Sequence, residues 1–334
     1  VPEVPVIDVG PLVDGTMPAA VGEAIDAACR SHGFFSVVGH GIDPTLLPRL
    51  DSLARAFFAL PEGEKAAIAM AHGGRAWRGW FPLGGELTSG VPDRKEGIYF
   101  GAELPADDPR VAAGLPLHGA NLVPAQPAEL GPTVLDVLDA LTALGHQLLA
   151  GMALGLGLPP SWFRQHLTAD PTVLFRIFHY PPELPGGDAS EWGVAEHTDY
   201  GLLTLLHQDE SGGLEVRAAD GTWLEVPPLA GALVCNLGDM LERMSGGRYR
   251  STPHRVRSPG DRDRISCPFF FDPSWDAEVA PLPLAADDRP AEPGTAHQRW
   301  DGADVFEWEG TYGAYLSAKV AKVFPDLGAE VLEG

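Results

Sequence analysis

Eleven histidines occur in the chain, and spacing singles out one of them. His197-Thr-Asp199 places an imidazole and a carboxylate two residues apart in a run patterned as a strand. Strand alternation turns both side chains to one face, so they can meet one ion. His254, on a later short strand of the same β-rich region, can supply a third ligand. Two imidazoles and a carboxylate on one face of an octahedron leave three positions open, which suits a non-haem Fe(II) that binds a chelating co-substrate together with O2. Zn(II) more often takes a tetrahedral site completed by water. The triplet is a sparse pattern, and a core histidine beside a turn aspartate produces the same letters.

Arg264-Ile-Ser266 adds a second device, because alternation lets a guanidinium fork and a hydroxyl face the same carboxylate. An inward arginine requires an anion, either a resident Asp or Glu or a bound acid. Arg176, Phe178 and Tyr180 share one strand face by the same rule, and Phe270 shares the face of Arg264 and Ser266. Arg176, Phe270 and Phe178 thus read as substrate contacts for a small, largely apolar metabolite carrying an anionic group, with a structural salt bridge at Arg176 the equal alternative. His179 and His207 read as packing residues, and Arg94 and Lys95 as solvated surface charges.

The elements that must position these residues follow from periodicity. Pro5–Asp8 and Phe34–Val38 read as strands around a helix bearing Val21, Ile25 and Cys29, and a second helix begins near Pro44 and carries Leu46, Leu50, Phe57 and Phe58, with a short third from Pro61. Residues 101–132 are rich in Pro, Ala, Asp and Gly, a linker or lid, and Pro132 starts a long helix with Val134, Leu138, Leu141, Leu148 and Met152 on one stripe. After Pro171 come eight short strand-like runs: 173–180, 193–199, 202–208, 214–217, 223–226, 232–236, 254–257 and 264–271. They suggest a jelly roll. Residues 281–294 read as exposed, and Asp304 as the cap of a terminal helix with Tyr312, Tyr315, Leu316, Val320 and Val323.

Taken with Pro5-Val-Ile-Asp8, His32-Gly-Phe-Phe35, Gly39-His-Gly41, Phe57-Phe58, Leu60-Pro61, Lys65, Leu203-Thr-Leu205, Gly213-Leu214, Asn236-Leu-Gly-Asp239 and His254-Arg-Val256, the chain resembles the isopenicillin N synthase-like Fe(II)/2-oxoglutarate-dependent dioxygenases over nearly its whole length. The resemblance implies an α+β fold with a double-stranded β-helix (jelly-roll) core flanked by helices. One integrated domain would comprise an N-terminal region (1–110), a connecting segment and backing helix (111–170), the catalytic core (171–285) and a C-terminal loop and helix (286–334). His197, Asp199 and His254 match the family's iron ligands, Arg264 and Ser266 match the pair holding the distal carboxylate of 2-oxoglutarate, and Tyr180 matches a tyrosine that adds its hydroxyl. Phe178 stands where the family commonly has asparagine. Fe(II) with 2-oxoglutarate and O2 as co-substrates would oxidise a substrate C–H bond by hydroxylation, desaturation or cyclisation, releasing succinate and CO2, with ascorbate as a stimulant. The family would also set Trp77-Arg-Gly-Trp80-Phe81 over the barrel mouth, as a lid or as packing.

Rival readings are an oxidase with the same iron site that grips its own substrate with Arg264 and Ser266, a zinc hydrolase, and a silent jelly-roll binder. A hydrolase needs no carboxylate clamp. A net charge of −23 repels phosphates and anionic lipid, so nucleic acid and membrane are not expected partners, and a small-molecule substrate is. Three cysteines in 334 residues suit a reducing compartment, and the start shows no signal-peptide pattern, so the expected location is the cytoplasm. A monomer is the simpler oligomeric state.

Overall fold

The structure is a computed structural model that describes residues 3–88, 91–182, 192–257, 260–285 and 304–323. Its larger sheet has eight strands in the order Val6–Asp8, Phe34–Val38, Leu233–Leu237, Leu203–Gln208, Arg264–Asp272, Thr172–Tyr180, Glu96–Gly101 and Gly79–Phe81. A four-stranded sheet runs Trp223–Glu225, Leu214–Arg217, His254–Arg257 and Trp192–His197. Among the strand pairs of the described residues only Val6–Asp8 with Phe34–Val38 is parallel, so the core is a mixed sheet in an α+β fold with flanking helices. All eight runs expected after Pro171 are strands, with ends moved by a residue or two; Asp199 lies just beyond its strand, which ends at His197.

Some strands of the large sheet have no alternating signature. Glu96–Gly101 and Gly79–Phe81 are buried along their whole length, so neither shows an exposed polar face, and glycines interrupt both. Gly97 is required there: a Cβ would stand 2.8 Å from ring atoms of both Phe178 and Phe81. The N-terminal strands join the sheet that carries Arg264, so the first third of the chain and the last form one layer.

The helix Leu130–Gly155 packs against Pro18–Ser31 and backs the sheet, burying Val134, Leu138, Leu141, Leu148 and Met152 as the stripe predicts. Its length and apolar content would allow a membrane crossing, yet those residues are core. Gly22 permits the close crossing, because a Cβ would meet Gly151 O and Leu154 Cβ at 3.0 Å. Residues 101–132 are irregular apart from Pro109–Ala112 and the first turn of this helix, which starts at Leu130, but they are pinned rather than free. Buried Arg78 donates to the carbonyls of Ala102, Gly119 and Leu117 at 2.7, 2.6 and 3.1 Å. Asp304 caps a 3-10 turn, Val305–Glu307, rather than the terminal helix, which starts at Tyr312. Leu282 and Leu284 are buried, against the expectation of exposure, and residues 286–294 and the Val323 side chain lie outside the described residues.

Candidate metal centre and active-site cavity

Register decides which side chains meet. His254 lies directly across from His197 in the small sheet. Asp199, on the turn after the His197 strand, brings Oδ1 to 3.9 Å from His197 Nε2 and 3.8 Å from His254 Nε2. Ligand atoms of the three residues all lie within 4.8 Å of one another, and among the described residues no other group of His, Cys, Asp or Glu does this. Each imidazole gives its Nδ1–H to a carbonyl, of Ala195 at 2.8 Å and Thr252 at 3.1 Å, so Nε2 is the atom left for an ion. Burial and then the neighbouring His254 take His197 down to about 4, which keeps its lone pair available at neutral pH. Burial alone would raise Asp199. The two facing imidazoles and the hydrogen bonds from Thr204 and Asn236 outweigh it and hold the carboxyl below its ordinary range.

Thr204 and Asn236 are cross-strand partners, and both reach Asp199 Oδ2, at 2.5 and 2.6 Å. Asp239 knits the same region together. Its backbone N–H goes to Asp199 O at 2.8 Å, and its carboxylate accepts from Thr198 at 3.3 Å and Ser251 at 2.7 Å. These contacts give roles to two members of the Asn236-Leu-Gly-Asp239 motif. Asn236→Ala is expected to weaken metal affinity about tenfold, because the carboxylate loses the bond that aims it. Equilibrium dialysis with Mn(II) measures this; an unchanged affinity would show that Thr204 alone suffices.

Deeper in the same cavity, of about 120 Å³, the large sheet presents Arg264 across from Tyr180 and Ser266 across from Phe178. Arg264 is 1% exposed. Its Nε donates to Gly212 O at 2.8 Å, its plane lies over the Tyr180 ring at 4.7 Å, and both terminal nitrogens are buried with no partner. A buried guanidinium with two unused donors is strained unless an anion arrives. A carboxylate is the chemistry those donors fit.

Known proteins fit this geometry. The family profile described as 2OG-Fe(II) oxygenase superfamily matches residues 171–273, and one described as the N-terminal region of a non-haem dioxygenase in morphine synthesis matches residues 4–126. A relative named "Probable iron/ascorbate oxidoreductase" in Dictyostelium discoideum is 44% identical over 333 residues, covering 93% of this chain and 91% of its own. The chain belongs to the 2OG-Fe(II) oxygenase superfamily. A homoarginine-6-hydroxylase of Glycine max is 35% identical over 338 residues, covering 97% of this chain and 98% of its own. A Neurospora crassa protein solved in complex with alpha-KG and thymine superposes with a TM-score of 0.74 at 26% identity, covering 95% of this chain and 96% of that one. This oxygenase is a non-haem Fe(II)/2-oxoglutarate-dependent enzyme that oxidises small molecules with O2.

The other end of the oxygenase cavity holds a charge cluster that spacing did not reveal. Lys95, expected on the surface, is 2% exposed and pairs with Glu86 at 2.9 Å and with Asp93. Burial opposes its charge, but those two carboxylates outweigh it and keep the ammonium protonated. Arg94 is half-buried rather than solvated. Lys95 also stands over the Phe178 ring at 4.5 Å, so an aromatic face and a cation occupy the place where the family commonly has an amide. Arg176 lines the cavity between the rings of Tyr99 and Phe270, at 4.2 and 4.7 Å. Glu86 is its resident carboxylate at 3.4 Å, and Arg176 Nε stays buried without a partner. Salt bridge and cavity lining therefore coexist at Arg176. Asp272 ends the Arg264 strand on this side, pushed up to about 7 by burial; it accepts from Leu202 N and from Tyr312, fastening the helix whose Leu316 and Val320 close the cavity.

One further expectation changes. His179 is no simple packing residue: it stacks on Phe58 and bridges Glu96 and Asp263, with Nδ1 2.8 Å from Glu96. His207 is half-buried opposite Cys267, as packing requires. Trp77, Trp80 and Phe81 are core, with Trp80 donating to Glu96, and none lines the cavity, which favours packing over a lid.

Proposed function

We propose that His197, Asp199 and His254 are the Fe(II) ligands of this oxygenase, and that Arg264, with Ser266 and Tyr180, holds the distal carboxylate of 2-oxoglutarate. The observation that carries this is the pair of buried, unpartnered Arg264 nitrogens in the same cavity as the two turned Nε2 atoms and Asp199. Fe(II), 2-oxoglutarate and O2 supply the oxidising power when bound. The protein's part is to orient the acid through the guanidinium fork, to keep two imidazoles and an ionised carboxylate facing one point, and to exclude water with an apolar wall. The two sheets would be the faces of a double-stranded β-helix, with the four chain segments folded as one unit. Ascorbate stimulation, a monomeric state and a cytoplasmic location belong to the same proposal. Coupled release of succinate during turnover of a screened metabolite tests it; turnover without 2-oxoglutarate consumption would favour the oxidase.

The substrate would lie at the end opposite Arg264, with an acceptor group, in the simplest case a carboxylate, on the edge of Arg176 and its apolar part against Phe270 and Phe178. The unused Arg176 Nε supports this, and Glu86 tempers it by supplying part of the counter-charge. Relatives named for homoarginine and solved with thymine are consistent with a small polar-headed substrate. Arg176→Met keeps length and removes charge. It is expected to lower kcat/KM for the substrate about tenfold while 2-oxoglutarate affinity stays near wild type. Equal losses in both would place Arg176 in the general scaffold instead.

A further inference from the structure

The loop that follows the Leu203–Gln208 strand carries the carbonyl that holds Arg264, and one carboxylate outside the cavity sets the path of that loop. A guanidinium is planar, so fixing its Nε–H on Gly212 O also fixes the direction of its two terminal nitrogens. Gly212 and Gly213 both have left-handed φ, +73° and +86°, a conformation in which glycine gives little resistance to movement. Restraint must come from elsewhere. Asp209 supplies it: Oδ1 accepts from Ser211 N at 2.9 Å, and Oδ2 accepts from Ile265 N and from Arg55 Nη2, both at 2.6 Å.

Ile265 is the residue after Arg264. One carboxylate therefore ties the carbonyl-bearing loop to the backbone that carries the guanidinium. Ser211 Oγ adds a bond to Asp263 O at 3.2 Å, and Asp209 N a bond to Ile265 O at 3.2 Å. Burial opposes ionisation of Asp209, but the N–H of Ile265, the bonds from Ser211 and the charge of Arg264 hold its carboxyl below the ordinary range. Arg55 sits on the helix Leu46–Phe58 and also pairs with Asp51 and Asp263, so the tie extends into the N-terminal region.

We propose that Asp209 is a positioning residue for 2-oxoglutarate, acting through Gly212 O on the fork of Arg264. The proposal rests on the assignment of Arg264 above. Asp209 touches neither the cavity nor the metal cluster, so its removal should reach the co-substrate and spare the metal.

The experiment is calorimetric titration of 2-oxoglutarate into protein loaded with Mn(II), with Mn(II) affinity measured separately and steady-state kinetics alongside. Asp209→Ala should weaken 2-oxoglutarate binding about tenfold and raise its KM with kcat little changed, since a charge-assisted restraint is lost. Mn(II) affinity should stay within about twofold of wild type. Asp209→Asn, nearly isosteric, should fall between and carries the comparison if the alanine variant does not fold. Asp263→Asn, which removes one of the two other carboxylates on Arg55 and leaves the backbone carbonyl that Ser211 uses, should leave 2-oxoglutarate binding unchanged. Wild-type affinity for 2-oxoglutarate in both Asp209 variants would overturn the proposal, as would a fall in Mn(II) affinity by the same factor. If Arg264→Ala alone leaves 2-oxoglutarate affinity intact, it is the clamp assignment that fails.

Discussion

Asp199→Ala and His254→Ala are expected to purify with almost no iron and to release no succinate, while keeping the circular dichroism of the wild type. In the proposed assignment three ligands would hold the ion, and loss of one would remove both a bond and the geometry that aims the other two. Asp199 carries the larger effect, because it is the only anion of the three and its removal also leaves Thr204 Oγ1 and Asn236 Nδ2 without their acceptor. Asp199→Asn separates the contributions: it keeps the shape but loses the charge, and should bind Mn(II) more weakly than wild type. Iron content by mass spectrometry and Mn(II) binding by dialysis measure both. Unchanged iron stoichiometry in Asp199→Ala and His254→Ala would remove these residues from the metal site.

Arg264→Ala should raise the KM for 2-oxoglutarate about a hundredfold, since two charge-assisted bonds to one carboxylate are together worth about 3 kcal/mol or more. Arg264→Lys should rescue only part of this, because an ammonium cannot reproduce the fork or keep the bond to Gly212 O in the same plane. The structure adds a signature that turnover alone would miss. The two terminal nitrogens are buried without partners in the chain itself, so alanine removes a desolvated charge as well as a packing group. The variant should therefore lose the rise in Tm expected of the wild type on adding 2-oxoglutarate, whatever its own starting Tm. A wild-type shift in the variant would mean that the acid binds elsewhere.

Much of the site was legible in the residues themselves. Period-two alternation tells which side chains share a strand face, and it groups Arg264 with Ser266 and Phe270, and Arg176 with Phe178 and Tyr180, without reference to any partner strand. His197-Thr-Asp199 was legible for the same reason, although Asp199 turns out to reach its place from the turn after the strand. Alternation is silent on register. Only the pairing of His254 with His197 and of Asn236 with Thr204 brings four chain segments to one carboxylate.

What tertiary structure alone decided is the environment of the charges. Asp93-Arg-Lys95 has the letters of a solvated loop, yet Lys95 lies inside because Glu86 and Asp93 neutralise it, and the first of these partners is nine residues back along the chain. His179 meets Glu96 and Asp263, each more than 80 residues away, and Asp209 holds Arg55 across 154. Strands buried on both faces, such as Glu96–Gly101, lose the polar half of their pattern and leave only glycines and bulky residues to read. Local sequence sets the direction a side chain leaves the backbone, because sterics act between neighbours; the energy of a buried charge depends on whatever the fold brings within a few ångströms, and no spacing along one segment encodes that.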